Sequence, residues 1–121
     1  MTNHAQLIAA AEVLGVDACG DCDPCIGGRP DQCAVSPYPN WLASLDACFV
    51  DIVTAMRKHG FCLELYQRGD RSWVAKFDHE KRRSCFIGQD PTAPRGIVKA
   101  FLIYNNRWVD RPDNQRKGGN D

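Results

Sequence analysis

Apolar residues recur at two different periods along this chain, and the change from one to the other divides it into elements. Between residues 3 and 14, Ala5, Leu7, Ile8, Ala11 and Leu14 form a stripe at helical spacing, and Gly15 is a natural stop. Residues 17–36 then show no periodicity; Asp, Pro and Gly fill the spaces between four cysteines. Two prolines in Ser36-Pro37-Tyr38-Pro39-Asn40 forbid regular helix there. Asn40 is a suitable N-cap for a helix predicted over about 41–59. Its buried face reads Leu42, Leu45, Phe49, Ile52, Val53 and Met56, with Trp41 and Cys48 beside it. Asp46 and Asp51 fall toward the start and Arg57, Lys58 and His59 in the last turn, the order a helix dipole favours, and Gly60 ends the run.

The period then becomes two. Phe61, Leu63 and Leu65 alternate with Cys62, Glu64 and Tyr66, Arg68-Gly69-Asp70-Arg71 reads as a hairpin turn, and Trp73, Ala75 and Phe77 alternate again. Asp78-His79-Glu80-Lys81 turns the chain into a third strand predicted near 83–87. Asp90-Pro91 reads as the cap and first residue of a last helix with Ile97, Val98, Phe101, Leu102 and Tyr104 on its apolar face. After about residue 107 the composition turns to Arg, Asp, Asn, Gln, Lys and Gly. One domain over 1–107 and a disordered tail over 108–121 are expected. The order predicts an α+β fold, α-α-β-β-β-α, with a three-stranded antiparallel sheet packed by helices and a cysteine-rich loop over 17–36 between the first two helices.

Composition changes this picture little: 121 residues, 44% hydrophobic and 25% charged, suit one domain with its own core. Charge changes it more. Residues 1–60 carry three Lys/Arg against seven Asp/Glu, net −4, and residues 61–121 carry twelve against eight, net +4. A chain with an acidic and a basic half suits a protein partner better than a uniform polyanion, and a nucleic-acid binder shows a clearer basic excess. The opening Met1-Thr-Asn-His-Ala-Gln-Leu has no basic region leading into a long apolar run, so neither a signal nor a transit peptide is expected. No segment approaches the roughly 18–20 apolar residues that span a bilayer. Cytoplasmic residence and no membrane contact follow as expectations.

The chemistry concentrates in the loop. Cys19, Cys22, Cys25 and Cys33 are spaced C-x2-C-x2-C-x7-C within fifteen residues. A loop this long inside a compact domain needs something to order it, and in a reducing compartment a close-set cysteine cluster favours metal over disulfides. C-x2-C turns present two thiolates to one ion, so a closed, structural four-thiolate zinc site is predicted. An iron–sulfur cluster is a second reading, although the fourth cysteine lies eight residues on and lacks the usual following proline. Reduced, unligated thiols or opportunistic disulfides, with no cofactor, are a third. If ligated, the loop would display Asp21, Asp23, Arg29 and Asp31 on a rigid platform, the candidate partner-binding residues.

Cys48, Cys62 and Cys85 fall within predicted elements and read as packing residues. His4, His59 and His79 are explained by a helix start, a helix end and a turn rather than as general bases. Lys81-Arg82-Arg83 with Arg68, Arg71 and Lys76 could build a basic face, or serve as solvated charges that discourage edge pairing. Trp108 either folds back onto the domain or stands out as a partner anchor. The chain contains no P-loop, dinucleotide fingerprint, G-x-S-x-G or H-E-x-x-H motif, and no catalytic set is expected.

From Ser36 onward the chain resembles the phage α/β/α sandwich domain family. The likeness is carried by Pro37-Tyr38, by the run Ile52-Val53-Thr-Ala-Met56-Arg57-Lys-His-Gly60-Phe61, by Trp73-Val-Ala75-Lys-Phe77 and by Asp90-Pro-Thr-Ala93. It spans roughly residues 5–104, including a similar opening helix, and the cysteine loop is an addition to the family pattern. The resemblance implies an α/β/α sandwich and a phage or prophage origin, hence residence in a host cell, and it implies no reaction. A non-enzymatic phage accessory protein, a zinc-stapled small domain binding a host or phage protein, is the leading expectation. The alternative is a nucleic-acid-binding module, since α-β-β-β-α is superficially similar to double-stranded-RNA-binding domains. That module needs lysines where the last helix begins, and here only Arg95 is basic, with Lys99 a turn later.

Overall fold

A computed structural model of the chain describes residues 1–109. The expected tail over 108–121 falls outside the described residues from 110 onward. Helix α1 (Asn3–Leu14) is capped by the Thr2 hydroxyl, which accepts the Ala5 N–H at 3.0 Å, and ends on Gly15 in the left-handed region. Inside the cysteine loop lie a short helix α2 (Asp23–Ile26) and a 3-10 turn (Pro30–Gln32). Sequence periodicity cannot signal elements of three or four residues.

The second long helix differs from its prediction at its start and in its phase. It begins at Leu45, capped by the Ser44 hydroxyl rather than by Asn40, and residues 41–43 form a separate turn. The rod then runs as α3 (Leu45–Ala47), a π segment (Cys48–Val53) and α4 (Thr54–Lys58) with right-handed helical backbone at the junctions. The wider π turn shifts the stripe. Cys48, Ile52, Val53 and Met56 enter the core, whereas Leu45 and Phe49, expected to be buried, stand exposed.

Strands β1 (Phe61–Gln67), β2 (Trp73–His79) and β3 (Cys85–Asp90) form an antiparallel meander in the order β1-β2-β3. Register aligns Leu63 with Phe77 and Phe77 with Phe86, and Leu65 with Ala75 and Ala75 with Gly88. These residues share the face that meets the helices. The opposite face carries the rows Cys62–Asp78–Cys85, Glu64–Lys76–Ile87 and Tyr66–Val74–Gln89, and none of them joins the buried core cluster. The described helices cover one face of the sheet.

Helix α5 (Ala93–Tyr104) starts two residues later than the Asp90-Pro91 reading, with Thr92 as N-cap; Asp90 instead closes β3 and accepts the Thr92 N–H at 3.3 Å. It lies across β2 and β3 at close range. A Cβ on Gly88 would fall 2.2 Å from the Gly96 carbonyl and 2.6 Å from the Ala100 nitrogen, so only glycine admits the helix here. The core gathers Ala9, Ala10, Ala11, Trp41, Cys48, Ile52, Met56, Phe77, Ile97, Phe101 and Leu102. Trp108 folds back, partly buried against this core, with the Lys99 ammonium 5.1 Å from its ring centre. Among the described residues no helix is long and apolar enough to cross a membrane.

Candidate metal centre

The four loop cysteines converge. Their Sγ atoms all lie within 4.8 Å of one another. The separations are 3.4 Å for Cys22–Cys25 and Cys19–Cys33, 3.8 Å for Cys22–Cys33 and 3.9 Å for Cys19–Cys25. Four sulfurs each about 2.3 Å from one central ion sit about 3.8 Å apart along the edges of a tetrahedron. The sulfur set therefore has the size of a single-ion site.

Local backbone brings it about. Gly20, at φ +81, turns the chain directly after Cys19, and the Asp21 N–H then points back to the Cys19 sulfur at 3.4 Å. Cys22 caps α2, whose single turn carries Pro24 and places Cys25 beside it. After the 3-10 turn, Cys33 arrives from the far side, buried, and receives N–H groups from Ser36 at 3.2 Å and Cys19 at 3.5 Å. The Ala34 N–H reaches the Cys22 sulfur at 3.4 Å. Such donors stabilise thiolate over thiol.

The acidities follow that pattern. The Cys19 N–H leads the causes that pull the Cys33 thiol down to about 6, and the Ala34 N–H leads those that lower Cys22. Cys25 moves the other way, up to about 12, through burial first and then through the neighbouring sulfurs. Four crowded sulfurs cannot all carry charge without a counter-charge among them, and a divalent cation supplies one.

Beyond the sulfurs the loop is pinned to α1. His4 approaches the Gly28 carbonyl with Nε2 at 3.1 Å and the Asp31 carboxylate with Nδ1. Nδ1 and the facing Asp31 oxygen are buried and have no further polar partner. Sequence reasoning missed this clamp, because a histidine at a helix start gains meaning only once a loop 24 residues away folds back onto it. The clamp also corrects the expected platform. Asp21, Asp23 and Arg29 are exposed as anticipated, but the Asp31 side chain is 5% exposed and faces inward. Ile26 and Val35 stand 73% and 74% exposed on the same loop.

The remaining candidates are dispersed. Cys48 is buried and its thiol lies 3.0 Å from the Trp41 carbonyl, placed to donate to it. Cys62 and Cys85 are exposed on the open sheet face. His79 Nδ1 accepts the Lys81 and Arg82 N–H groups at 3.0 and 3.1 Å, and His59 sits against Tyr104. The basic residues divide between the β1–β2 turn, with Arg68 and Arg71, and the β2–β3 turn at the other end of the sheet, with Lys81, Arg82 and Arg83. Lys76 between them is 3.5 Å from Asp78, whose charge raises the lysine pKa.

The chain matches no protein-family model, no curated protein and no solved structure. The phage-family likeness thus rests on the sequence motifs quoted for it.

Proposed function

We propose that this chain is a zinc-stapled, non-enzymatic domain that binds another protein through its cysteine loop. The observation that carries the reading is the closed set of four sulfurs at single-ion spacing. Four protein thiolates fill a tetrahedral shell and leave no position for water or substrate, which makes the site structural rather than catalytic. In a four-iron cluster each thiolate binds a different iron and the sulfurs spread further apart, so the spacing favours one ion. Zinc is the ion that suits a closed tetrahedron of thiolates without redox chemistry.

Binding follows from what the staple does to the loop. A loop tied at four points loses little conformational entropy when a partner docks. It offers charged Asp21, Asp23 and Arg29 together with the uncovered Ile26 and Val35. The divided basic residues and the paired Lys76 favour a protein partner over a nucleic acid, which would want one continuous basic surface. A non-enzymatic role is supported by the positions of the histidines, each held in a structural contact. The accessory role in a phage or prophage rests on the family resemblance alone.

Metal analysis of protein purified without added metal tests the centre: about one zinc per chain is expected. Iron in its place, or a metal-free chain with an ordered loop, would overturn the zinc reading. The binding role is tested by replacing Asp21, Asp23, Arg29, Ile26 and Val35 together, keeping all cysteines and Asp31. Retained zinc with loss of the partners captured by the parent chain is the expected result, and unchanged capture sinks the loop as the binding surface.

A further inference from the structure

Three large apolar side chains stand uncovered on the helical rod from Leu45 to Lys58. Leu45 is 38% exposed, Phe49 44% and Val50 68%. Phe49 follows Leu45 by four residues, the spacing of neighbours on one helix face, and Val50 follows it by five, the spacing that a π turn brings round. The same side carries exposed Asp46 next to Leu45 and ahead of Phe49 and Val50, and exposed Thr54, Arg57 and Lys58 after them. Along about 20 Å of helix, this surface is acidic at its first end beside Leu45, apolar at Phe49 and Val50, and basic at its last end. The helix dipole accounts for acid first and base last. It does not account for the apolar centre, because the opposite side of the rod already supplies Cys48, Ile52, Val53 and Met56 to the core.

The π segment is what creates the surface. In an unbroken α-helix Leu45, Phe49, Ile52 and Met56 would fall in one stripe. The wider turn over Cys48–Val53, with the Thr54 hydroxyl bonded to the Phe49 carbonyl at 3.1 Å, moves the first two out of that stripe while Ile52 and Met56 stay buried. Such segments are uncommon in helices and are found frequently at functional sites.

We propose that this surface is a self-complementary interface between two copies of the chain, their rods paired antiparallel about a two-fold axis. Charge order selects both the occupant and the direction. In antiparallel pairing Asp46 of each copy meets Arg57 and Lys58 of the other, while Phe49 and Val50 pack across the axis near Thr54. Parallel pairing would set Asp46 on Asp46 and Arg57 on Arg57. A two-fold axis repeats every contact, so one charge order yields two ion-pair sites flanking one apolar centre. A single helix face lies at the low end of specific interface areas, below about 1,200 Å² in total, and the dimer is accordingly weak and concentration-dependent.

Sedimentation velocity of the metal-loaded full chain tests this, from about 10 to about 500 µM at low salt. The weight-average mass is expected to rise toward twice the monomer. Phe49→Ser with Val50→Ser should abolish the rise. Asp46→Arg in one chain, and Arg57→Asp with Lys58→Asp in another, should each weaken self-association about tenfold. An equimolar mixture of those two charge variants should associate again, because each mixed pair restores both sets of opposite charges. All these side chains are exposed, and circular dichroism and metal content verify that each variant is folded. A monomer at every concentration would overturn the proposal and leave the surface to a different protein. Association that persists in the Ser variant, or a mixture that fails to recover, would overturn it equally.

Discussion

Gly88 shows how much one residue decides in this fold. It is buried in β3, and its missing side chain is the space into which the backbone of α5 settles at Gly96 and Ala100. Gly88→Ala would set a methyl 2.2 Å from a backbone carbonyl, which no side-chain rearrangement relieves. The helix must lift from the sheet, at a cost of about 3 kcal/mol. Thermal unfolding should drop by roughly 15 °C, and an unchanged midpoint would show that α5 packs differently. Cys48 governs a different property. Burial, with the nearby Asp51 charge, pushes its thiol up to about 12 from the ordinary 9.0. A raised folded-state pKa favours the protonated form, so its stabilisation is complete below pH 9.0 and fades as pH climbs through 12. Cys48→Ser keeps a hydroxyl donor for the Trp41 carbonyl but does not titrate. Denaturant unfolding between pH 9 and 11 should fall less steeply in Cys48→Ser than in the parent chain, by about 1.4 kcal/mol per pH unit. Equal slopes in the two proteins would assign the alkaline loss to other groups.

Elements were legible where their period was long and regular. β1 and β2 carry clear alternation and α5 helical spacing, and the inward residues Phe61, Ala75, Phe77, Ile97 and Phe101 lie where that pattern puts them; β3, expected near 83–87, runs over Cys85–Asp90 because residues 81–83 belong to the turn. The cysteine centre was legible too, because ligand spacing along the chain is a local property. The start and phase of the rod were not. Both Asn40 and Ser44 are good caps, and nothing in composition distinguishes them or announces a π turn, since tertiary packing of Trp41 decides both. The Trp41 indole donates to Asp51 at 2.8 Å, and the Cys48 thiol is placed to donate to the Trp41 carbonyl, so the turn at 41–43 packs against the π segment instead of extending the helix. The sequence puts an apolar stripe of Ala5, Leu7, Ile8, Ala11 and Leu14 on α1, yet its most buried positions are Ala9, Ala10, Ala11 and Gln6. Small residues face inward because neighbouring elements approach closely there. Its first turn is held differently, by His4 on Gly28 and Asp31. His4→Ala should therefore leave the alanine face in place and loosen only the two ends of that clamp. Hydrogen exchange should quicken around residues 3–7 and 28–32, with the rest of α1 protected as before. Exchange that quickens through Ala11 would mean the clamp, not the alanine packing, holds the helix.

At the scale of the whole molecule, the candidate metal centre and the core draw on separate sets of residues. Every large side chain of the core cluster comes from outside residues 17–37, and the loop itself buries only Cys33 and the side chain of Asp31. The loop reaches the rest of the domain through the His4 clamp and through chain continuity at Val16 and Tyr38, both partly buried against the core. The free energy of a metal bound by the four cysteines would therefore be spent on ordering the loop, while the sheet, α5 and the rod keep the apolar burial that stabilises them. Treatment with a strong chelator should release the loop over 17–36 and leave the 41–104 region cooperatively folded. Two measurements read this together. Thiol alkylation under native conditions should modify Cys62 and Cys85 in the metal-bound chain and add Cys19, Cys22, Cys25 and Cys33 after chelation, with Cys48 protected until denaturant is present. Hydrogen exchange should show full protection retained in β2 and α5. Alkylation of Cys48 on chelation alone would mean that the core opens with the loop, and that metal binding is a condition of folding for the whole domain rather than a staple on one side of it.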